Sequence, residues 1–310
     1  MMSKRFAKAG FLLLFSALWL TILLYPEPAL SLSLEGLNLW FQKMIPALFP
    51  FMILSGLLIG LGLSDSFASL FAPVLRPLFR LSDSCLYCLV IGFLCGFPMG
   101  ARVCAQSYEK GRLSRREATL MLAFCNNIGP VYFTGYALRL FPAKRPAVAL
   151  LGMYGIPFLY GLILRHTLFS DVASGGGCSP ASDPKEGLTL NRFFSELNAS
   201  ILSALNAITA LGGYMIFCNL LNLLPRLLLR DFPDAVRLMG PLLEITSGLS
   251  RLEPGDGSLA FIFLPLGGLS CLAQTYSCLH GTDLSLKEYA FHKTVQTLLT
   301  AAFYGFVTAA

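Results

Sequence analysis

The 310-residue chain is 55% hydrophobic and only 13% charged, with a formal net charge of +6 and a mean hydropathy of +0.67. A soluble domain carries about 25% charged residues, so a dinucleotide-binding sheet, a barrel enzyme and a nucleic-acid-binding module are excluded and lipid is the matching solvent. The basic excess lies in short segments between apolar runs, where it reports orientation in an anionic bilayer rather than a nucleic-acid partner.

At the start, Lys4, Arg5 and Lys8 precede an apolar stretch from Phe11 to Tyr25. No clear small-residue cleavage site follows, so the stretch reads as a retained first span with a cytoplasmic N-terminus, ended by Pro26 and Pro28. Further apolar segments run from Phe41 to Leu63, Leu86 to Ala105, Ala118 to Leu138, Ala147 to Leu164, Ile201 to Leu224, Leu259 to Leu279 and Tyr289 to Ala310. A span needs about 20 apolar residues, and the expectation is eight spans plus one short hairpin, Val236 to Leu249. Ser170 to Asn198, with Gly175 to Gly177, Pro180 and Pro184, reads as a loop joining two halves, and Arg251 to Ser258 as a turn. The predicted architecture is all-α: a polytopic helical membrane protein with two related halves and re-entrant or broken helices. It divides into an anchor (1–38), a first half (39–169), a connector (170–198) and a second half (199–310).

Charge alone argues for a break in the first half. Arg76 and Arg80, like Lys110, Arg112, Arg115 and Arg116, ask for one side of the membrane, and a single span between them would separate the two groups. A hairpin entering and leaving by the same face satisfies both. Its interior holds Gly96, Pro98 and Gly100, residues that interrupt a helix. A weak repeat points the same way: Gly96 to Glu117 echoes Gly267 to Glu288, with Ala105, Gln106 and Tyr108 matching Ala273, Gln274 and Tyr276. Ser114 with Glu117, and Ser285 with Glu288, have capping-box spacing. Duplicated halves with matching interruptions point to a transporter-like centre.

Two polar constellations are candidate sites. In LAFCNNIGP, Asn126 and Asn127 precede Gly129 and Pro130 inside an apolar segment, so an opened helix would present amides and free backbone groups to a solute; the alternative is that the amides join helices across a tolerated kink. In GPLLEITSG, Gly240 and Pro241 precede Glu244, Thr246 and Gly248, and a carboxylate in an apolar hairpin is a solute, cation or proton site unless a basic residue such as Arg237 pairs with it. Gln106, Gln274 and Ser270 are candidates for the same cavity, Gly267 and Gly268 for a second hinge, and Arg102 for an anion partner or a snorkelling group. The nine cysteines read as small buried hydrophobes. Cys85 and Cys88 lack complementary metal ligands, and no carboxylate pair has acid/base spacing. No catalysis, metal or cofactor is therefore expected.

GFLCGFPMGARV, LSRREA, LAFCNNIGP, GPLLEITSG and LGGLSCLAQ, in this order between Leu39 and Phe303, resemble the sporulation integral membrane proteins of the YlbJ type. These are placed in the wider group with a nucleoside-recognition, or Gate, domain. The resemblance implies a helical membrane fold of two related halves with re-entrant hairpins, and a sporulation role. The expected partners are the lipid bilayer, a small polar solute, a coupling ion or proton, and either a second copy of the chain or spore-envelope membrane proteins; a non-transporting scaffold is the rival reading.

Overall fold

The computed structural model describes residues 2–172 and 189–309, with side chains from Lys8 to Val307, and the described residues form helices and no strands. Gly175 to Gly177, Pro180 and Pro184 of the expected connector, and the side chains of Lys4 and Arg5, lie outside the described residues. Among the described residues four helices are long and apolar enough to cross a bilayer: Pro26–Gly60, Pro146–His166, Leu190–Leu228 and Pro254–Leu279, with Lys8–Leu24 a shorter apolar helix. The expected count of eight falls because several apolar segments are interrupted midway.

Helix α1 (Met2–Leu24) stops at Tyr25, and α2 (Pro26–Gly60) begins at once with a proline in its first turn, where no N–H is needed. A segment that the sequence placed from Phe41 thus starts fifteen residues earlier and runs through the expected 38/39 boundary. Short helices α3 (Ser64–Ser69) and α4 (Ala72–Phe79) follow, then α5 (Asp83–Cys95), α6 (Met99–Glu109) and α7 (Arg115–Cys125). After a non-helical stretch comes α8 (130–140), and α9 is Pro146–His166. In the second half, α10 (Leu190–Leu220) begins inside the predicted connector, because Thr189 caps its first turn. Then come α11 (Leu223–Leu228), α12 (Pro233–Leu243), α13 (Ile245–Ser250), α14 (Gly257–Phe263), α15 (Gly268–Leu279) and α16 (Leu286–Ala309).

Helices α2 and α10 pack antiparallel along most of their length. A Cβ at Gly36 would lie 3.0 Å from Ile216 Cα, and one at Gly56 would lie 3.1 Å from the Ser200 hydroxyl. Small residues permit this approach where lipid supplies no hydrophobic drive between helices. Trp40 locks the pair by donating its indole N–H to the Ile208 carbonyl at 2.8 Å. The aromatic core stacks Phe79 on Phe124 at 5.6 Å, with Phe158 edge-on to Phe79 at 5.1 Å. Phe11, Leu12, Leu13, Trp19 and Leu23 stay exposed, as a lipid-facing helix requires.

Polar contacts sort the connections to two ends. At the first end, Ser82 and Ser114, the N-caps of α5 and α7, both donate to the Glu117 carboxylate at 2.9 Å. Arg112 meets Ser64, Arg165 donates to the Arg80 carbonyl, and Arg115 pairs with Asp283. Arg116 pairs with Asp171 and holds that carboxyl below its usual range. Helices α5 and α6 therefore form the hairpin that the charges demanded, leaving and returning at one end. At the second end, Arg251 pairs with Glu35 at 2.5 Å, Arg237 with Glu253 and Asp256, and Gly257 abuts Phe141. Helices α12 and α13 form a hairpin opening there, so the two hairpins enter from opposite ends.

The echoing segments share a local course. Both Gly96–Glu117 and Gly267–Glu288 run from a break through a small-residue helix to the first end and into a capped helix; Ser285 accepts from the Glu288 N–H at 3.2 Å.

Candidate functional site

Four interruptions converge in mid-molecule. The first hairpin turns at Gly96, Phe97 and Pro98, with Gly96 at φ +83° and a cis Phe97–Pro98 bond. It packs on the break between α7 and α8 with backbone close against backbone. Gly92 on α5, Gly96 in the turn and Gly100 on α6 touch Cys125, Gly129 and Asn126; a Cβ at Gly100 would lie 2.7 Å from Asn126 Cα. The second hairpin turns at Glu244. There Gly248 abuts Pro241 and Gly240, and Gly268, at φ +73°, lies against the Pro241 and Leu242 carbonyls, which brings in the break between α14 and α15.

Glu244 is 1% exposed and caps α13 with its own carboxylate, which accepts the Ser247 N–H at 2.7 Å and the Thr246 N–H at 3.2 Å. Two backbone donors and the positive helix end partly offset the burial of a charge. Among the described residues no Lys or Arg forms an ion pair with it: Arg237, the partner weighed from sequence, goes to Asp234, Glu253 and Asp256. A cavity of about 50 Å³ adjoins Glu244, lined also by Thr246, Gln274, Gly129 and Phe97. Drug-sized ligands occupy pockets of about 300 Å³ or more, so this space matches a small ion or a few waters.

The asparagines turn inward. The Asn126 carbonyl accepts the Ala101 N–H at 3.2 Å, satisfying a free donor in the first turn of α6, and its amide donates to Thr275 (3.1 Å) and Tyr289 (3.0 Å). Asn127 donates to the Phe124 carbonyl and accepts from Lys293 at 2.8 Å. Both amides thus join helices in this conformation, and neither lines the cavity. Pro130 starts α8 in the first helical position. Gln106 is half-buried on α6, away from the cavity, whereas Gln274 lines it. Ser270 is fully buried and its hydroxyl has no hydrogen-bond partner. Arg102 is buried too, giving one nitrogen to Ser203 at 2.8 Å and leaving Nη1 unpartnered, so it does not snorkel.

Sequence reasoning missed Lys293, Gln296 and Asn219. Lys293 is fully buried, held by Asn127 and by Gln296 at 3.0 Å. Asn219 accepts from Ser247 and Arg251, both at 2.8 Å, and donates to the Leu32 carbonyl, tying the second hairpin to α2 and α10. The signal for Lys293 was present: an ionisable residue inside an apolar segment is a functional candidate by default. No three His, Cys, Asp or Glu among the described residues come together as metal ligands.

Residues 41–140, holding the first hairpin and the first broken span, match the family model described as "Gate: Nucleoside recognition". The chain is also 26% identical over 335 aligned positions to the "Sporulation integral membrane protein YlbJ" of Bacillus subtilis (strain 168), an alignment covering 95% of this chain and 80% of that protein. No solved structure matches. The resemblance read from the motifs is borne out, and the chain is a polytopic helical membrane protein.

Proposed function

We propose that this protein binds a small polar solute within the membrane and moves or senses it by relative motion of its two hairpins. The carrying observation is the convergence of two hairpin tips, entering from opposite ends, on one cavity beside a buried carboxylate that forms no ion pair among the described residues. Interrupted helices meeting at mid-membrane are how transporters expose a site alternately to the two sides. The order hairpin then broken span, 83–140 and again 233–279, supports two halves related in opposite orientation; this pairing differs from the Gly96–Glu117 and Gly267–Glu288 echo, whose two copies run to the same end. Glu244, Thr246 and Gln274 face the solute or a coupling ion; Gly96, Gly129, Gly248 and Gly268 are the contacts that must slide. A nucleoside-sized solute requires the tips to part, since the present cavity is far smaller. No catalytic step is assigned. A sporulation role follows from the relative's name.

The test is a thermal-stability screen of the full chain in nanodiscs against nucleosides, nucleobases, amino acids, small dicarboxylates and metal cations, since a ligand that prefers the folded state raises its stability. The expected outcome is a saturable rise for one class, lost in Glu244→Gln, followed by flux of that solute in proteoliposomes. Silence across the panel from folded protein, with a partner captured from sporulating cells, would establish the scaffold instead.

A further inference from the structure

Lys293 is the most deeply buried cation described, and no carboxylate pairs with it among the described residues. Its ammonium sits between two amide oxygens, Asn127 Oδ1 at 2.8 Å and Gln296 Oε1 at 3.0 Å, and 5.0 Å from the centre of the Phe97 ring, with the Tyr289 ring at 6.0 Å. The titratable groups facing it are Cys125 on α7, Cys271 on α15 and Tyr289 on its own helix. Amide oxygens and an aromatic face are what a protein offers a small desolvated cation. The parts also come from elements that must separate: Asn127 from the first broken span, Phe97 from the tip of the first hairpin, and Gln296 from α16. Gln296 is fixed in turn by donating to the Ala123 carbonyl.

We propose that Asn127, Gln296 and Phe97 form a cation cage and that the Lys293 ammonium is its tethered occupant, holding the first hairpin tip on the broken span without a dissociable cation. The inference rests on the preceding reading for its consequence, that the closed conformation needs no external alkali ion. The cage itself is testable without any solute.

The test is the thermal unfolding midpoint of full-length protein in nanodiscs at matched ionic strength, with choline chloride as the bulky reference salt. The wild type should not distinguish choline from sodium, potassium or methylammonium. Lys293→Ala should unfold about 4 °C or more lower, and methylammonium or an alkali cation should restore at least half of that difference saturably. Asn127→Leu combined with Lys293→Ala should not be rescued. Absence of rescue in Lys293→Ala by any small cation would overturn the cage. Lys293→Met, which keeps most of the side-chain volume, covers the case in which the alanine variant does not fold: a midpoint equal to wild type would make Lys293 a space-filler and also overturn it, while a lowered midpoint supports it. Because no solute is present, rescue without flux would refute transport and leave the cage standing, and flux without rescue would do the reverse.

Discussion

Gly96 and Gly111 both have positive φ, at +83° and +66°, yet they do different work. Around Gly111 an added Cβ meets nothing within 4 Å, so Gly111→Ala carries only the left-handed penalty, about 1 kcal/mol. At Gly96 the same methyl would strike the Gly129 backbone, which cannot yield as a side chain can. Gly96→Ala should therefore lose about 3 kcal/mol or more, and denaturation midpoints of the two variants in one detergent would show the contrast. Glu244 was visible in the sequence as a carboxylate in an apolar hairpin, but its partners were not, because they are backbone N–H groups two and three residues on, those of Thr246 and Ser247. Lys293 had a comparable signature, an ionisable residue inside the apolar segment Tyr289 to Ala310.

Among the elements, the first hairpin and α7 share a fastening. Glu117 accepts from the Ser114 N–H and hydroxyl and from Ser82, closing a capping box and binding the start of α5. Ser114→Ala should cost about 1 kcal/mol, as a lost N-cap does. Glu117→Ala should cost more than that, since it leaves both serines without an acceptor; chemical denaturation of the two variants beside wild type would order them. The capping box was legible because both partners lie within four residues. The length of α2 was not. Pro26 and Pro28 read as the end of the first span, but they stand in the opening turn of α2, and a wide turn at Trp40–Met44 is accommodated within that helix.

Across the whole molecule, the two ends make a prediction that hydropathy cannot. Basic residues stand at both: Arg112, Arg115 and Arg116 at the first, and Lys144, Arg145 and Arg251 at the second. A rule based on such residues therefore cannot orient the chain by itself. Single cysteines at Arg115 and Asp283, in a background without native cysteines, should react with an impermeant maleimide from one side of sealed vesicles. Cysteines at Lys144 and Gly255, which line a shared depression at the second end, should react from the other. Labelling of positions 115 and 144 from the same side would refute the opposed hairpins.

Composition determined the solvent, and with it the helical class, because a backbone in hydrocarbon must satisfy its own hydrogen bonds. Glycine, proline and charge placement determined where helices stop and that the first hairpin returns to its side of entry, since these depend on local dihedrals and nearby loops. Only the tertiary structure decided what the breaks face. Asn126 reaches Thr275 and Tyr289, 149 and 163 residues away, and Asn127 meets Lys293 across 166. Periodicity and spacing carry no information about which buried polar group finds which partner. That choice is made by packing: the glycines let the hairpin tip close on the broken span, and the enclosed amides and ammonium must then satisfy one another away from water.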